Sequence, residues 1–63
     1  METYTYKVFT IKEIYQSADG RGNYDYFISS ESNPQGYVKM KTTLTKIKLF
    51  IDANEEMLNT PKY

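Results

Sequence analysis

The residue types that do most covalent and metal chemistry are missing from this chain. Its 63 residues include no cysteine and no histidine. That removes the commonest nucleophile–base pairs and the soft metal ligands together. Ser, Asp, Glu, Lys and Tyr remain. Gly20-Arg21-Gly22 has the look of a phosphate-cradling loop. Such a loop needs a strand before it and a helix N-terminus after it; here strand-forming residues follow, so the segment reads as a hairpin turn. Ser29, Ser30 and Ser32 surround Glu31, but a serine nucleophile needs a base and no histidine supplies one. They read as a solvated strand end. Asp52 and Glu56 are four apart on a helical pattern and face each other, with Glu55 beside them. No further acid joins them, so they read as an exposed helix face. The expectation is a protein that is not an enzyme, with no cofactor and no metal.

Lysine placement is the strongest polar signal. Residues 32–51 hold no acid and four of the eight basic residues: Lys39, Lys41, Lys46 and Lys48. Lys39 and Lys41 are expected on one strand face with Tyr37. Lys46 and Lys48 fall early in a helix whose acids come later, an order that opposes the helix dipole. A phosphate site at that strand–helix corner would make Tyr37, Lys39, Lys41, Lys46 and Lys48 a nucleic-acid surface. Two things weigh against it. Formal net charge is zero, whereas a dedicated nucleic-acid binder is usually basic. Lys46 and Lys48 also point to nearly opposite sides of the helix. Solvated lysines that protect an edge strand from aggregation are the plainer reading.

The elements that must position these residues follow from pattern and punctuation. Thr, Tyr, Val, Ile and Phe dominate a first strand over 3–16. Asp19 to Asn23 is a dense turn signal, and a second strand covers 24–30. Asn33-Pro34-Gln35-Gly36 makes another turn before a third strand over 37–41. Then the period changes. Leu44, Ile47, Ile51 and Leu58 fall on one stripe at helical spacing, Thr43 is placed as N-cap, and Asn59 or Thr60 ends the helix ahead of Pro61. The fold class is α+β: a three-stranded antiparallel meander with one C-terminal helix over 44–58 on one face, and a tail over 59–63. It forms a single domain.

Such a domain has more apolar surface than one small core absorbs. Leu49, Phe50, Ala53 and Met57 lie beside the main helical stripe, Leu49 furthest from it. The first strand is apolar on both parities, with Tyr4, Tyr6, Val8 and Ile14 on one and Phe9, Ile11 and Tyr15 on the other. A bulge near Val8-Phe9 would reconcile them; otherwise one face is left for a partner. Ten of the residues are aromatic and seven of those are Tyr, which provide large contact area at low entropic cost. At this length the core is marginal, and with no disulfide available self-association is the natural supplement.

In element order, residues 6–58 resemble the amino-terminal arm-binding domains of tyrosine-type phage integrases, which read DNA with a sheet. The neutral charge departs from that family's basic character, and no residue is carried across. The stretch from Thr43-Leu44 to Asp52 is similar to a helix common in small phage and mobile-element proteins. The leading expectation is a homodimeric protein-interaction module, of the kind that acts as a small phage or mobile-element inhibitor or regulator. Tyr4, Tyr6, Tyr24, Tyr26, Tyr37, Leu49, Phe50 and Met57 would contact its protein partner. With no signal-peptide pattern and no membrane-length apolar run, it is expected in the cytoplasm.

Overall fold

The computed structural model describes residues 2–61. Its order is β1 (Thr3–Tyr6), β2 (Phe9–Ile14), a 3-10 turn (Tyr15–Ser17), β3 (Tyr24–Ser29), β4 (Tyr37–Thr42) and α1 (Leu44–Leu58). The strands form one antiparallel sheet in sequential order, β1-β2-β3-β4. The α+β meander with a C-terminal helix is therefore present, but with four strands where three were expected. The first strand of 3–16 is two strands folded back on each other.

The reversal occurs at Lys7-Val8. Tyr6 pairs with Phe9 and Tyr4 with Ile11, so the turn has two residues. Lys7 sits at a φ of 55°, where glycine or asparagine is usual. Neither residue is a turn former, and so the turn left no mark in the sequence. A two-residue turn also brings even positions before it onto the face of odd positions after it. Tyr4 and Tyr6 thus share a face with Phe9, Ile11 and Glu13. The mixed parity is explained by a hairpin rather than by a bulge.

The helix lies on that face. Phe9, Ile11, Tyr26 and Ile28 of the sheet and Ile47, Ile51 and Leu58 of the helix form the core. Burying each such side chain stabilises by roughly 1.5–3 kcal/mol. Thr43 caps the helix, its hydroxyl accepting from the Lys46 backbone N–H at 3.4 Å. The buried stripe 47, 51, 58 passes through Asn54, where an apolar residue would suit the spacing. Asn54 instead leaves helical geometry (φ −136°, ψ 28°) and donates its side-chain amide to the Phe50 carbonyl at 2.9 Å. The helix kinks there, and Leu58 still reaches the core.

A buried polar latch holds the helix end to the β3–β4 connection. The Asn33 amide donates to the Leu58 carbonyl at 2.9 Å, and the Ser30 hydroxyl donates to Asn59 Oδ1. Ser30 is therefore a buried structural donor, which corrects the reading of it as part of a solvated strand end. Gly36 closes the turn, its N–H donating to the Asn33 carbonyl at 3.2 Å. A Cβ on Gly36 would fall 2.4 Å from the Phe27 ring and 2.7 Å from the Ile28 carbonyl, and its φ is 73°. Only glycine fits. Of the expected tail, residues 62 and 63 lie outside the described residues.

Candidate interaction surfaces

The tyrosines do not stand together as an exposed platform. Tyr26 is 2% exposed, in the core, with its hydroxyl donating to buried Glu13 Oε2 at 2.8 Å. Burial first, then that hydrogen bond, holds its pKa above the ordinary tyrosine range. As a partner anchor it is ruled out by its position. Tyr4, Tyr6, Tyr24 and Tyr37 are half-buried at the rim of the core. Tyr24 stands edge-on to Tyr26 (centroids 6.3 Å apart) and stacks with exposed Tyr15 at 6.0 Å. Tyr37 packs on Phe50 at 5.6 Å.

At the β1 edge a charged cluster closes over Tyr6. Its hydroxyl donates to both Asp52 oxygens, at 2.9 and 3.0 Å. Lys7 Nζ lies 2.7 Å from Asp52 Oδ1 and 2.8 Å from Glu55 Oε2. Hydrogen bonds from Lys7, then Tyr6, hold the Asp52 pKa below the usual carboxyl range. The same Asp52 bond, then burial, raises that of Tyr6. Lys48 Nζ sits 5.7 Å from the Tyr6 ring centroid. This cluster ties the first hairpin to the middle of the helix. Lys7 also gains partners for the strained turn it occupies.

The lysines diverge. Lys39 lies on the helix side of β4, 5.0 Å from the Phe50 ring centroid. Lys41 does not share that face as expected. Between Tyr24/Thr42 and Tyr26/Lys39 the register shifts by one residue, and Lys41 takes a φ of 51° in the resulting bulge. Its backbone N–H donates to Asp25 Oδ1 at 2.9 Å and its Nζ donates to the Ser17 carbonyl. Lys46 is exposed near the helix start. Lys39 and Lys48 thus flank the helix on opposite sides, at Phe50 and at Tyr6, and the five residues of the expected basic corner are not brought into one patch.

Exposed apolar side chains lie elsewhere. On the helix, Leu49 (64% exposed) and Met57 point outward as expected, while Phe50 turns under the helix edge. Met57, Tyr37, Gln35, Thr60 and Pro61 line an open groove of about 560 Å³ between the β3–β4 turn and the helix end. The sheet face away from the helix carries Thr3, Thr5, Thr10 and Lys12 on β1 and β2, and Phe27, Val38 and Met40 on β3 and β4. Val38 is 48% and Met40 66% exposed. Sequence reasoning missed these two, although their alternation with Tyr37 and Lys39 was a legible signal.

Among the described residues, no three acidic, histidine or cysteine side chains gather closely enough to hold a metal ion. No helix there is long and apolar enough to cross a membrane. The sheet's fourth strand separates the fold from the three-stranded integrase pattern. Set against protein-family models, curated proteins and solved structures, the chain finds no match.

Proposed function

We propose that this chain is a non-enzymatic protein-interaction module that self-associates and offers apolar and aromatic side chains to a protein partner. One observation carries the reading. The core is complete with Ile47, Ile51 and Leu58 docked on the sheet, yet Val38, Met40, Leu49 and Met57 remain on the outside. Two pairs are left exposed, Val38 and Met40 on the open sheet face and Leu49 and Met57 on the helix, and each is a candidate site of contact with another molecule. The half-buried Tyr37 and Phe50, next to Met57 and Lys39, add an aromatic margin with a cation beside it. The divergence of the lysines favours a protein over a nucleic acid. A cytoplasmic location belongs to the same proposal.

The test is capture on immobilised protein from an extract of the source cell, at low and high salt. The protein reading expects a captured protein that is retained at high salt. It should be lost from a Leu49→Asp/Met57→Asp or a Val38→Asp/Met40→Asp double variant and kept by Lys39→Ala/Lys41→Ala. Capture of nucleic acid that salt releases, and that the lysine variant loses, would replace this reading with the nucleic-acid one.

A further inference from the structure

We propose that β1 is a dimerisation edge, through which two copies of the chain pair antiparallel about a twofold axis at Tyr4 and join their sheets into one. This deepens the self-association in the proposed function and rests on that part of it. The sheet has two edges, β1 and β4, and they are protected to different degrees, the charges at β1 sitting at its turn end around Lys7. β4 carries Lys39 and Lys41, is interrupted by the bulge at Met40-Lys41, and runs straight into the helix cap at Thr43. Lysines and bulges are devices that discourage edge pairing. β1 is an unbroken Thr3-Tyr4-Thr5-Tyr6, with no lysine, proline or bulge inside it.

The ladder identifies the groups β1 has to offer. The Glu13 N–H donates to the Glu2 carbonyl at 2.9 Å, and Tyr6 faces Phe9 across the two-residue turn. In an antiparallel pair, inward and outward backbone groups alternate. Residues 2, 4 and 6 therefore turn their N–H and C=O toward β2, and Thr3 and Thr5 turn theirs outward. Among the described residues nothing pairs those four groups.

A second copy fits them. With the axis at Tyr4, Thr3 of one copy faces Thr5 of the other, and Thr5 faces Thr3. Each such pair exchanges two N–H···O bonds, so all four outward groups are used. Tyr4 then meets Tyr4 at the close, non-hydrogen-bonded position on the helix side, covering two rings that are half-buried in the isolated chain. Threonine meets threonine on the other face. An axis at Thr5 would instead set Thr3 against Lys7, whose φ of 55° takes it out of the ladder. Of these two registers, the one centred on Tyr4 uses all four outward groups.

Solution mass over a concentration series is the first readout, with a rise from one chain to two expected. Thr5→Pro removes an outward N–H and leaves the β1–β2 ladder intact, as proline is tolerated on an outward-facing edge. It should weaken dimerisation about 30-fold or more, since two edge hydrogen bonds are lost per dimer, with an unchanged melting curve at concentrations dilute enough to keep both chains monomeric. The chain has no cysteine, so single-cysteine variants report contacts between copies alone. Tyr4→Cys should oxidise to a disulfide-linked dimer, whereas Leu49→Cys and Met40→Cys should not. A monomer at every concentration, a dimer indifferent to Thr5→Pro, or cross-linking through Leu49→Cys instead would each overturn the proposal. A monomer that still captures a partner through Leu49 and Met57 would sink the dimer alone. A β1-paired dimer that captures nothing would sink the partner reading alone.

Discussion

The two faces of the sheet have similar strand-forming residues and different fates. On the helix-covered face, Phe9, Ile11, Tyr26 and Ile28 are almost wholly excluded from water, and the one buried acid there, Glu13, is met by the Tyr26 hydroxyl. On the other, Phe27, Val38 and Met40 share the surface with Thr3, Thr5, Thr10 and Lys12, and Gly36 of the β3–β4 turn lies close against the Phe27 ring. The difference teaches that composition along a strand does not say which side is core. What decides is the side on which a second layer can dock, and here that was set by the parity change at Lys7-Val8 and by the single stripe of α1.

The widest separation between the faces is expected from truncation. Ile11→Ala removes fully buried atoms and should destabilise by about 2–5 kcal/mol in chemical denaturation, whereas Val38→Ala should stay within roughly 0.5 kcal/mol. Equal losses would mean that the second face is also buried in solution. Next comes the point where a turn shelters the open face. Gly36→Ala forces a side chain onto the Phe27 ring at positive φ and should destabilise by about 2–3 kcal/mol. A neutral result would show that the turn lifts freely from Phe27.

Within the covered face, Tyr26→Phe leaves Glu13 without its donor and should lower stability by about 1–2 kcal/mol near neutral pH. The raised Tyr26 pKa gives this pair an alkaline signature. A group whose folded pKa lies above its unfolded value contributes stability that is intact below about pH 10 and lost as pH rises beyond it. Unfolding followed upward from pH 9 should thus fall more gently in Tyr26→Phe than in wild type, with the raised Tyr4 and Tyr6 values accounting for what remains. The smallest effect is at the exposed rim. Asp52 has a lowered pKa, so its contribution is present above the ordinary carboxyl value of about 3.9 and disappears as pH falls through the folded one. Asp52→Asn should lower stability slightly at pH 7, where that contribution is present, and flatten the acid limb below about pH 4, where wild type and variant converge. Asp19, lowered by bonds from Asn23 and Arg21, keeps a residual slope.

Much of this architecture was legible without coordinates, for local reasons. The helix occupies Leu44–Leu58 with Thr43 as its cap because period, cap and the Asn59–Pro61 stop all agree over a short stretch. Turns at Asp19–Asn23 and Asn33–Gly36 announce themselves through glycine and proline. The Asp19 side chain bonds Arg21 and Asn23, and Gly20, Gly22 and Gly36 take positive φ. The Lys7-Val8 hairpin had no such marker. It is held instead by contacts dozens of residues away, from Asp52 and Glu55 to Lys7 and Tyr6, which no local window contains. The candidate surfaces divide in the same way. Leu49 could be placed outside the core from helical spacing alone, whereas spacing did not separate exposed Met57 from Phe50, which packs on the core. Tyr26 as core and Lys41 in a bulge follow from pairing partners.

The amino-acid sequence by itself therefore determined the class of fold, the helix and its cap, two of the three hairpin turns, and a surplus of apolar surface over one small core. These depend on residue propensity and spacing within a few turns of chain. Only the tertiary structure decided the number of strands, the face that the helix covers, which tyrosines are spent in the core, and which sheet edge is interrupted by a bulge. Those outcomes are differences between long-range pairings of similar local energy, and the pairing that buries Ile47, Ile51 and Leu58 against Phe9, Ile11 and Ile28 selects among them.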